Sequence, residues 1–283
     1  MNKGVIEFRK RMNAAEDKAL LVDQAEGATM VLDLGAGSGK ISRDIAEKWG
    51  AKVDSVDCMF KDDCLNSNLV TYYVKTIEDF LVEYAGSKKY DCIVMSAILH
   101  ELSDDTLYDV VQKYLPKMMA KNCRILIREP FYDDVLGPVA SKDYKTFFDL
   151  VAGGISSKKA VEYVEASKLS DSLWFNDHLF AYGDCFGLNT AIAWANLAFA
   201  VSYGEQSWER EKHELRYARS LDWCKTFFNF ENKKFTGFQV NPILDKTYKE
   251  HFVNAGIPAE AFDLIQYTGM LVVIDYQTDE ENK

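Results

Sequence analysis

The feature that most constrains this chain is the run Val31-Leu32-Asp33-Leu34-Gly35-Ala36-Gly37-Ser38-Gly39-Lys40, a hydrophobic strand that enters a glycine-rich turn and leaves it as a helix. Glycine at every second position of the turn lets the backbone adopt left-handed conformations and approach a ligand with no Cβ in the way. Strand, turn and helix in this order begin a doubly wound α/β sheet, which binds ligands at the carboxyl ends of its strands. The spacing also excludes one reading. A dinucleotide fingerprint needs G-x-G-x-x-G, and Lys40 stands where its third glycine belongs.

The alternation continues along the chain. Short β-like runs at Met30–Leu34, Lys52–Val56, Val70–Val74, Asp91–Met95 and Arg124–Arg128 alternate with helical patterns at Lys40–Trp49, Ile77–Ala85 and Asp104–Met119, the last capped by Ser103. Such alternation predicts a parallel sheet covered on both faces. A further helix is predicted over Pro242–Ala255, with Asn241 as its cap and Gly256 and Pro258 at its end. Phe262–Tyr267 and Met270–Tyr276, separated only by Thr268 and Gly269, read as an antiparallel hairpin. Between the fifth strand and that last helix, Phe131 to Thr236 has helical periodicity and holds Trp174, Trp194, Trp208 and Trp223, enough for a core of its own. The predicted fold is α/β: a doubly wound, mainly parallel seven-stranded sheet with a helical insertion after strand 5. Residues 1–130 and 237–283 form the α/β domain and 131–236 the insertion.

Asp33, Gly35, Gly37 and Gly39 match the pattern (D/E)-x-G-x-G-x-G, so the turn resembles motif I of the class I S-adenosylmethionine-dependent methyltransferases. Further motifs follow in order. Asp57 closes the second strand, Thr76-Ile77-Glu78-Asp79 falls at the family's adenine-edge loop with Thr76 in place of a frequent Asp, Tyr90 to Leu102 resembles motif IV, and Arg124 to Pro130 resembles the fifth strand. The resemblance covers residues 30–130 and, by topology, the C-terminal elements, but not the insertion. It implies S-adenosylmethionine as cofactor, held by Asp33, Gly35, Ala36 and Gly37, by Asp57 and Cys58, by Ile77 and Glu78, and by Met95 and Ser96. Asp57 would accept from both ribose hydroxyls, for which a carboxylate has the acceptor oxygens. Asp33 either serves that cofactor or only fastens the turn. His100, after the fourth strand, is either a catalytic base or a packing residue.

The acceptor must be read from the rest of the chain. The formal net charge is −11, and none of the stretches 1–130, 131–236 and 237–283 is net basic, which argues for a small polar or anionic acceptor over a polyanion. A tRNA or other nucleic-acid methyltransferase is the alternative enzyme. A non-catalytic S-adenosylmethionine-binding protein, or another group transfer with a derivative of that cofactor, is the alternative from a different class. In the insertion, Arg210, His213, Arg216 and Tyr217 fall three or four apart on one helical face. Arg210 and Arg216 can clamp a carboxylate or phosphate, and His213 and Tyr217 join His100 as candidate catalytic groups. The competing reading is a solvated face, since Glu209, Glu211, Lys212 and Glu214 are interleaved. Tyr132 and His178 are further substrate-binding candidates. Trp208, Leu215, Ala218, Leu221, Cys224 and Phe228 form an apolar packing stripe. The helix Leu188–Ser202 is apolar nearly all round, with Asn189 and Asn196 on one side, either bracing the insertion or meeting a polar group of the substrate.

The six cysteines are widely spaced without a Cys-x-x-Cys pair, so reduced, buried thiols are expected, and no spacing matches a metal site. The first residues lack a secretory apolar stretch and Ala191–Val201 is too short to span a bilayer, so a cytoplasmic protein without membrane insertion is expected. The oligomeric state is not encoded in any pattern we recognise.

Overall fold

The computed structural model describes residues 17–59, 67–133, 137–169, 187–205, 207–213 and 219–277. Trp174, His178, Arg216 and Tyr217 lie outside the described residues, as do Cys64 and Cys185. The chain forms two compact units, each assembled from separated segments.

The sheet unit comprises 17–129, 222–241 and 270–277. It contains α1 (Asp17–Gln24), β1 (Met30–Leu34), α2 (Lys40–Trp49), β2 (Lys52–Val56), β3 (Val70–Tyr73), α3 (Ile77–Tyr84) and β4 (Tyr90–Ser96). A π-helical turn, Thr106–Val111, runs into α4 (Gln112–Met118), and β5 (Met119–Glu129) follows at once. The sheet has seven strands in the order β3-β2-β1-β4-β5-β7-β6, with β6 at Lys234–Ile243 and β7 at Gly269–Gln277. β1 to β5 pair in parallel, and β7 runs antiparallel to β5 from Asn122↔Gln277 to Glu129↔Met270. Strands buried on both faces read as continuous apolar runs, and Val31, Leu32, Leu34, Ile93, Val94, Met95, Ile125, Leu126 and Ile127 are all buried. β1 has β2 on one side and β4 on the other, so connections leave it in both directions. In sheets of this kind the ligand position is beyond the carboxyl ends of the strands at that switch point, here β1 and β4.

The helical unit comprises 130–221 and 242–269. It contains α5 (Tyr144–Gly154), α6 (Ser157–Leu169), α7 (Leu188–Ser202), α8 (Trp208–Glu211), α10 (Thr247–Asn254) and α11 (Ala259–Asp263). Its core joins Phe147, Tyr163, Trp194, Trp208, Phe252 and Phe262. α7 is its axis: of its residues from Thr190 to Ser202, only Phe199 is not fully buried. Among the described residues no helix is long and apolar enough to cross a membrane.

Several expectations are corrected. The helix predicted over Pro242–Ala255 begins at Thr247, because Asn241 and Pro242 belong to β6. Proline cannot donate to a ladder and is confined to sheet edges, and β6 is the edge strand. Asp245, just before the N-cap Lys246, holds the start of α10, its Oδ1 accepting from the Thr247 N–H at 2.9 Å and the Thr247 hydroxyl at 2.7 Å. The hairpin is also absent: Phe262 lies in α11, and the buried positions Ala261, Phe262 and Ile265 follow a helical period. The strand that completes the sheet is instead β6, which straddles the expected boundary at residue 236. Its Phe235 stacks on Phe238 and meets the edge of Tyr276. The stripe from Trp208 to Phe228 is not one face. Trp208 is buried in the helical unit, whereas α9 (Leu221–Phe227) and Phe228 pack in the sheet unit, where Gln112 Nε2 donates to the Phe227 carbonyl and Tyr276 Oη to that of Phe228. Trp223 therefore stacks on Phe227 in the sheet unit, outside the helical core. Cys58 is exposed, while Cys92, Cys123 and Cys224 are buried as expected.

Candidate functional site

The glycine turn leaves β1 with Gly35, Gly37 and Gly39 at φ 73°, 60° and 73°. At the two outer positions glycine is required sterically, since a Cβ would stand 2.6 Å from Ile98 at Gly35 and 2.6 Å from Tyr72 at Gly39. Gly37 differs: a Cβ there would project into open space. The Gly35 and Ala36 N–H groups both donate to the Val56 carbonyl, fastening the turn to the end of β2. Asp33 sits beneath the turn and is almost wholly buried. Its Oδ2 accepts from the Ser42 hydroxyl at 2.6 Å, and Ser42 in turn meets Ser55 at 2.8 Å. Burial pushes the Asp33 carboxyl up to about 6, against the opposing effects of the Ser42 hydrogen bond and Lys18.

Asp57 follows β2 and is half-buried, with Oδ2 accepting from the Gly37 N–H at 2.9 Å and Oδ1 from the Met59 N–H at 2.7 Å. Each oxygen thus holds one backbone donor and keeps capacity for another. Cys58 and Met59 beside it are exposed. Thr76 caps α3 by accepting from the Asp79 N–H at 3.1 Å. Ile77 is buried, and Glu78 accepts from the Thr106 hydroxyl at 2.9 Å. Met95 is buried in β4 opposite Leu34, and Ser96 ends that strand. The predicted cofactor residues therefore lie at or just beyond the carboxyl ends of β1, β2, β3 and β4, with Ile77 and Glu78 at the helix start beyond β3.

Sequence reasoning missed the hub of this region, Glu129. It is the last residue of β5, and its side chain is 2% exposed. Oε1 accepts from the Ile98 and Leu99 N–H groups at 2.5 and 2.6 Å, and Oε2 lies 2.7 Å from His100 Nδ1. The Ala97 N–H donates to the Arg128 carbonyl at 2.7 Å, and Ala97 is the described non-glycine residue with positive φ, 55°. A left-handed alanine persists only where its surroundings over-determine it, and such positions gather at functional sites. Here the ends of β4 and β5 fix the loop that carries His100. An acid closing an apolar strand just before Pro130 was the available signal. The bond between Glu129 Oε2 and His100 Nδ1 fixes the orientation of the imidazole, with Nε2 as the ring nitrogen that does not face Glu129.

The acceptor candidates are in the helical unit. The Tyr132 N–H donates to the Arg219 carbonyl at 3.2 Å, and the Leu221 N–H to the Tyr132 carbonyl at 3.0 Å. α8 ends at Glu211, and His213 lies in the turn beyond it, so the described part of the expected Arg210–Tyr217 face is not one helix. Arg210 is half-exposed and lies 3.5 Å from Glu211. Among the described residues no group of His, Cys, Asp and Glu has the arrangement of a metal site.

No protein-family model matches the chain. No curated protein matches it. Solved structures do. The plantazolicin methyltransferase BpumL in complex with SAH superposes with a TM-score of 0.50 at 9% identity, over 98% of this chain and 90% of that one. The 1,6-didemethyltoxoflavin-N1-methyltransferase of Burkholderia thailandensis, with bound 1,6-didemethyltoxoflavin and S-adenosylhomocysteine, gives 0.50 at 13% identity, over 96% and 83%. Strands in the order 3-2-1-4-5-7-6, parallel from β1 to β5 with β7 antiparallel to β5, a glycine turn at the switch point and these likenesses agree: the chain has the fold of the class I S-adenosylmethionine-dependent methyltransferases.

Proposed function

We propose that this chain binds S-adenosylmethionine beyond the carboxyl ends of the strands in the sheet unit and transfers its methyl group to a small polar acceptor. The observation that carries the reading is the glycine turn at the switch point, hydrogen-bonded through Gly37 to a strand-end carboxylate, Asp57, whose two oxygens suit a vicinal diol. The open space over Gly37 fits a ligand that approaches the backbone closely. When bound, the cofactor supplies an already activated methyl group. The chain's own residues have the remaining tasks of aligning the acceptor, excluding water and removing a proton.

His100 is the group we assign to the proton, with Nε2 as the receiving atom. The helical unit is assigned the acceptor, with Tyr132, Arg210, His213, Arg216, Tyr217 and His178 as candidates to hold or orient it. The net charge of −11 supports a small molecule, as do the ligands bound to the structural neighbours, a desmethylated plantazolicin analogue and 1,6-didemethyltoxoflavin. Calorimetric titration with S-adenosylmethionine and S-adenosylhomocysteine tests the reading. Both should bind, and Asp57→Ala should lose about 1.5–3 kcal/mol, the scale of hydrogen bonds to a charged group. Binding of NAD with no affinity for either ligand would falsify it.

A further inference from the structure

Glu78, the second residue of α3, follows the carboxyl end of β3 and is gripped from a different segment of the chain. The Thr106 hydroxyl, at the start of the π-helical turn, donates to its Oε1 at 2.9 Å. Ser103, three residues after His100, donates its own hydroxyl to Thr106 Oγ1 at 3.1 Å and accepts the Thr106 N–H at 3.1 Å. Each hydroxyl has one proton to give, so the chain Ser103–Thr106–Glu78 has a direction and ends on a carboxylate. The other oxygen of that half-buried carboxylate, Oε2, is bonded to no described residue. In the same stretch Thr76 is spent on the Asp79 N–H and Asp79 is exposed, which leaves Glu78 as the carboxylate held in place. Burial and the nearby carboxylates of Asp57, Glu101 and Glu78 push the Cys58 thiol up, so Glu78 is within electrostatic reach of the residue beside Asp57.

We infer that Glu78 Oε2 selects the exocyclic amine on the purine of the bound cofactor, and that Thr106 and Ser103 are positioning residues that set the polarity of this selection. The inference rests on the function proposed above and deepens it. Thr106 occupies one carboxylate oxygen and thereby holds the second as an acceptor, so the ligand edge that meets it must bring a donor. Adenine has an amine there, whereas hypoxanthine and guanine carry an oxo group at the same carbon and would set two acceptors against each other. A site built to bond a substrate N–H rejects the analogue that lacks it far more strongly than an apolar pocket rejects a missing methylene. The direction of the hydroxyl chain has a second consequence. In Glu78→Gln the Thr106 proton goes to the amide oxygen, so the amide NH2 takes the place of Oε2 and the site offers a donor where it offered an acceptor. The same chain fastens the start of α3 to the segment that carries His100, which Glu129 holds from its other end.

The full-length chain is titrated calorimetrically with S-adenosylhomocysteine and with S-inosylhomocysteine, in which an oxo group replaces the amine. Wild type should bind the adenosyl compound at least tenfold more tightly. E78Q should reverse that preference, and E78Q combined with Thr106→Val should lose the reversal, because nothing then sets the orientation of the amide. Thr106→Val alone should narrow the wild-type preference several-fold, and Thr106→Ser, which keeps the hydroxyl, should restore it. Glu78→Gln is nearly isosteric, so that arm decides the matter if the valine variant does not fold. An E78Q chain that still prefers the amine as wild type does, or a Thr106→Ser chain as indifferent as Thr106→Val, overturns the inference, the latter by assigning the effect to packing. Wild-type protein with no affinity for S-adenosylhomocysteine refutes the function proposed above and this inference with it, whereas tight binding with the same base preference in wild type and E78Q refutes this inference alone.

Discussion

Replacing Asp33 by asparagine should stabilise the protein, and the gain should depend on pH in a defined window. Burial raises the Asp33 carboxyl from 3.8 to about 6 in the folded chain. Between those values the folded state keeps a proton that the unfolded state has released, so folding takes up a proton and stability falls as pH rises. A shift of roughly two units at 1.36 kcal/mol each means that the ionised carboxylate costs about 3 kcal/mol once the pH is above its folded value. The carboxamide of the Asp33→Asn variant does not titrate, and its carbonyl can still accept from Ser42. The difference in unfolding free energy between Asp33→Asn and wild type should therefore be near zero below pH 4. It should grow through the window and level off above about pH 6.5 at up to about 3 kcal/mol in favour of the variant. Urea denaturation at half-unit pH steps, reported by a probe in the sheet unit, measures that difference. A gap that is flat from pH 4 to 7, or a variant less stable than wild type at pH 7, would refute the account of Asp33 as a desolvated acid. The stability forgone at neutral pH is what a cofactor cation could recover. S-adenosylhomocysteine affinity should accordingly rise with pH across the same window in wild type, and not in the variant.

Three further outcomes are expected. Gly37→Ala should fold with a penalty of about 1 kcal/mol from its left-handed φ and lose at least tenfold of its S-adenosylhomocysteine affinity, whereas Gly35→Ala, whose Cβ would strike Ile98, should melt well below it; equal melting temperatures would contradict the steric argument. Glu129→Gln should cost about 1.5–3 kcal/mol and change the tautomer of His100, visible in the imidazole nitrogen shifts; an unchanged tautomer would show that Glu129 does not set it. Filter binding across a salt series should find only weak, non-specific tRNA binding at physiological salt, and tight, steeply salt-dependent binding would restore the nucleic-acid alternative and direct attention to Arg210 and Arg219.

Much of the sheet was legible because its signals are local. β1, β2 and α2 take the predicted bounds, since each is marked by its own residues and a local stop, Gly35 after β1, Gly50 after α2 and Asp57 after β2. Asp57, Ile77 and Glu78 could be placed from the chain alone because strand-end and helix-start positions are fixed by the elements themselves. What failed was non-local. Asn241 and Pro242 make a good helix start considered alone, but an edge strand accommodates proline equally well, and only pairing with β7 decides. The run Phe262–Tyr267 read as a hairpin strand, whereas the core of the helical unit selects Ala261, Phe262 and Ile265 at helical spacing. Glu129 escaped because its function depends on three groups about thirty residues earlier, a relation that no sequence period records.

The seating of β7 between β5 and β6 has a consequence for how the protein is made. β5 receives its second neighbour from residues about 150 positions later: Arg124 Nε, for example, donates to Asp275, 151 residues on. At a synthesis rate of roughly 5–20 residues per second, the apolar flank of β5 stays open for about 8–30 s while the helical unit emerges. A central strand of eleven residues with one open edge is an invitation to pair with another chain. Ribosome stalling between residues 130 and 270 should therefore leave an aggregation-prone nascent chain, and truncation before Met270 should yield inclusion bodies instead of a smaller soluble domain.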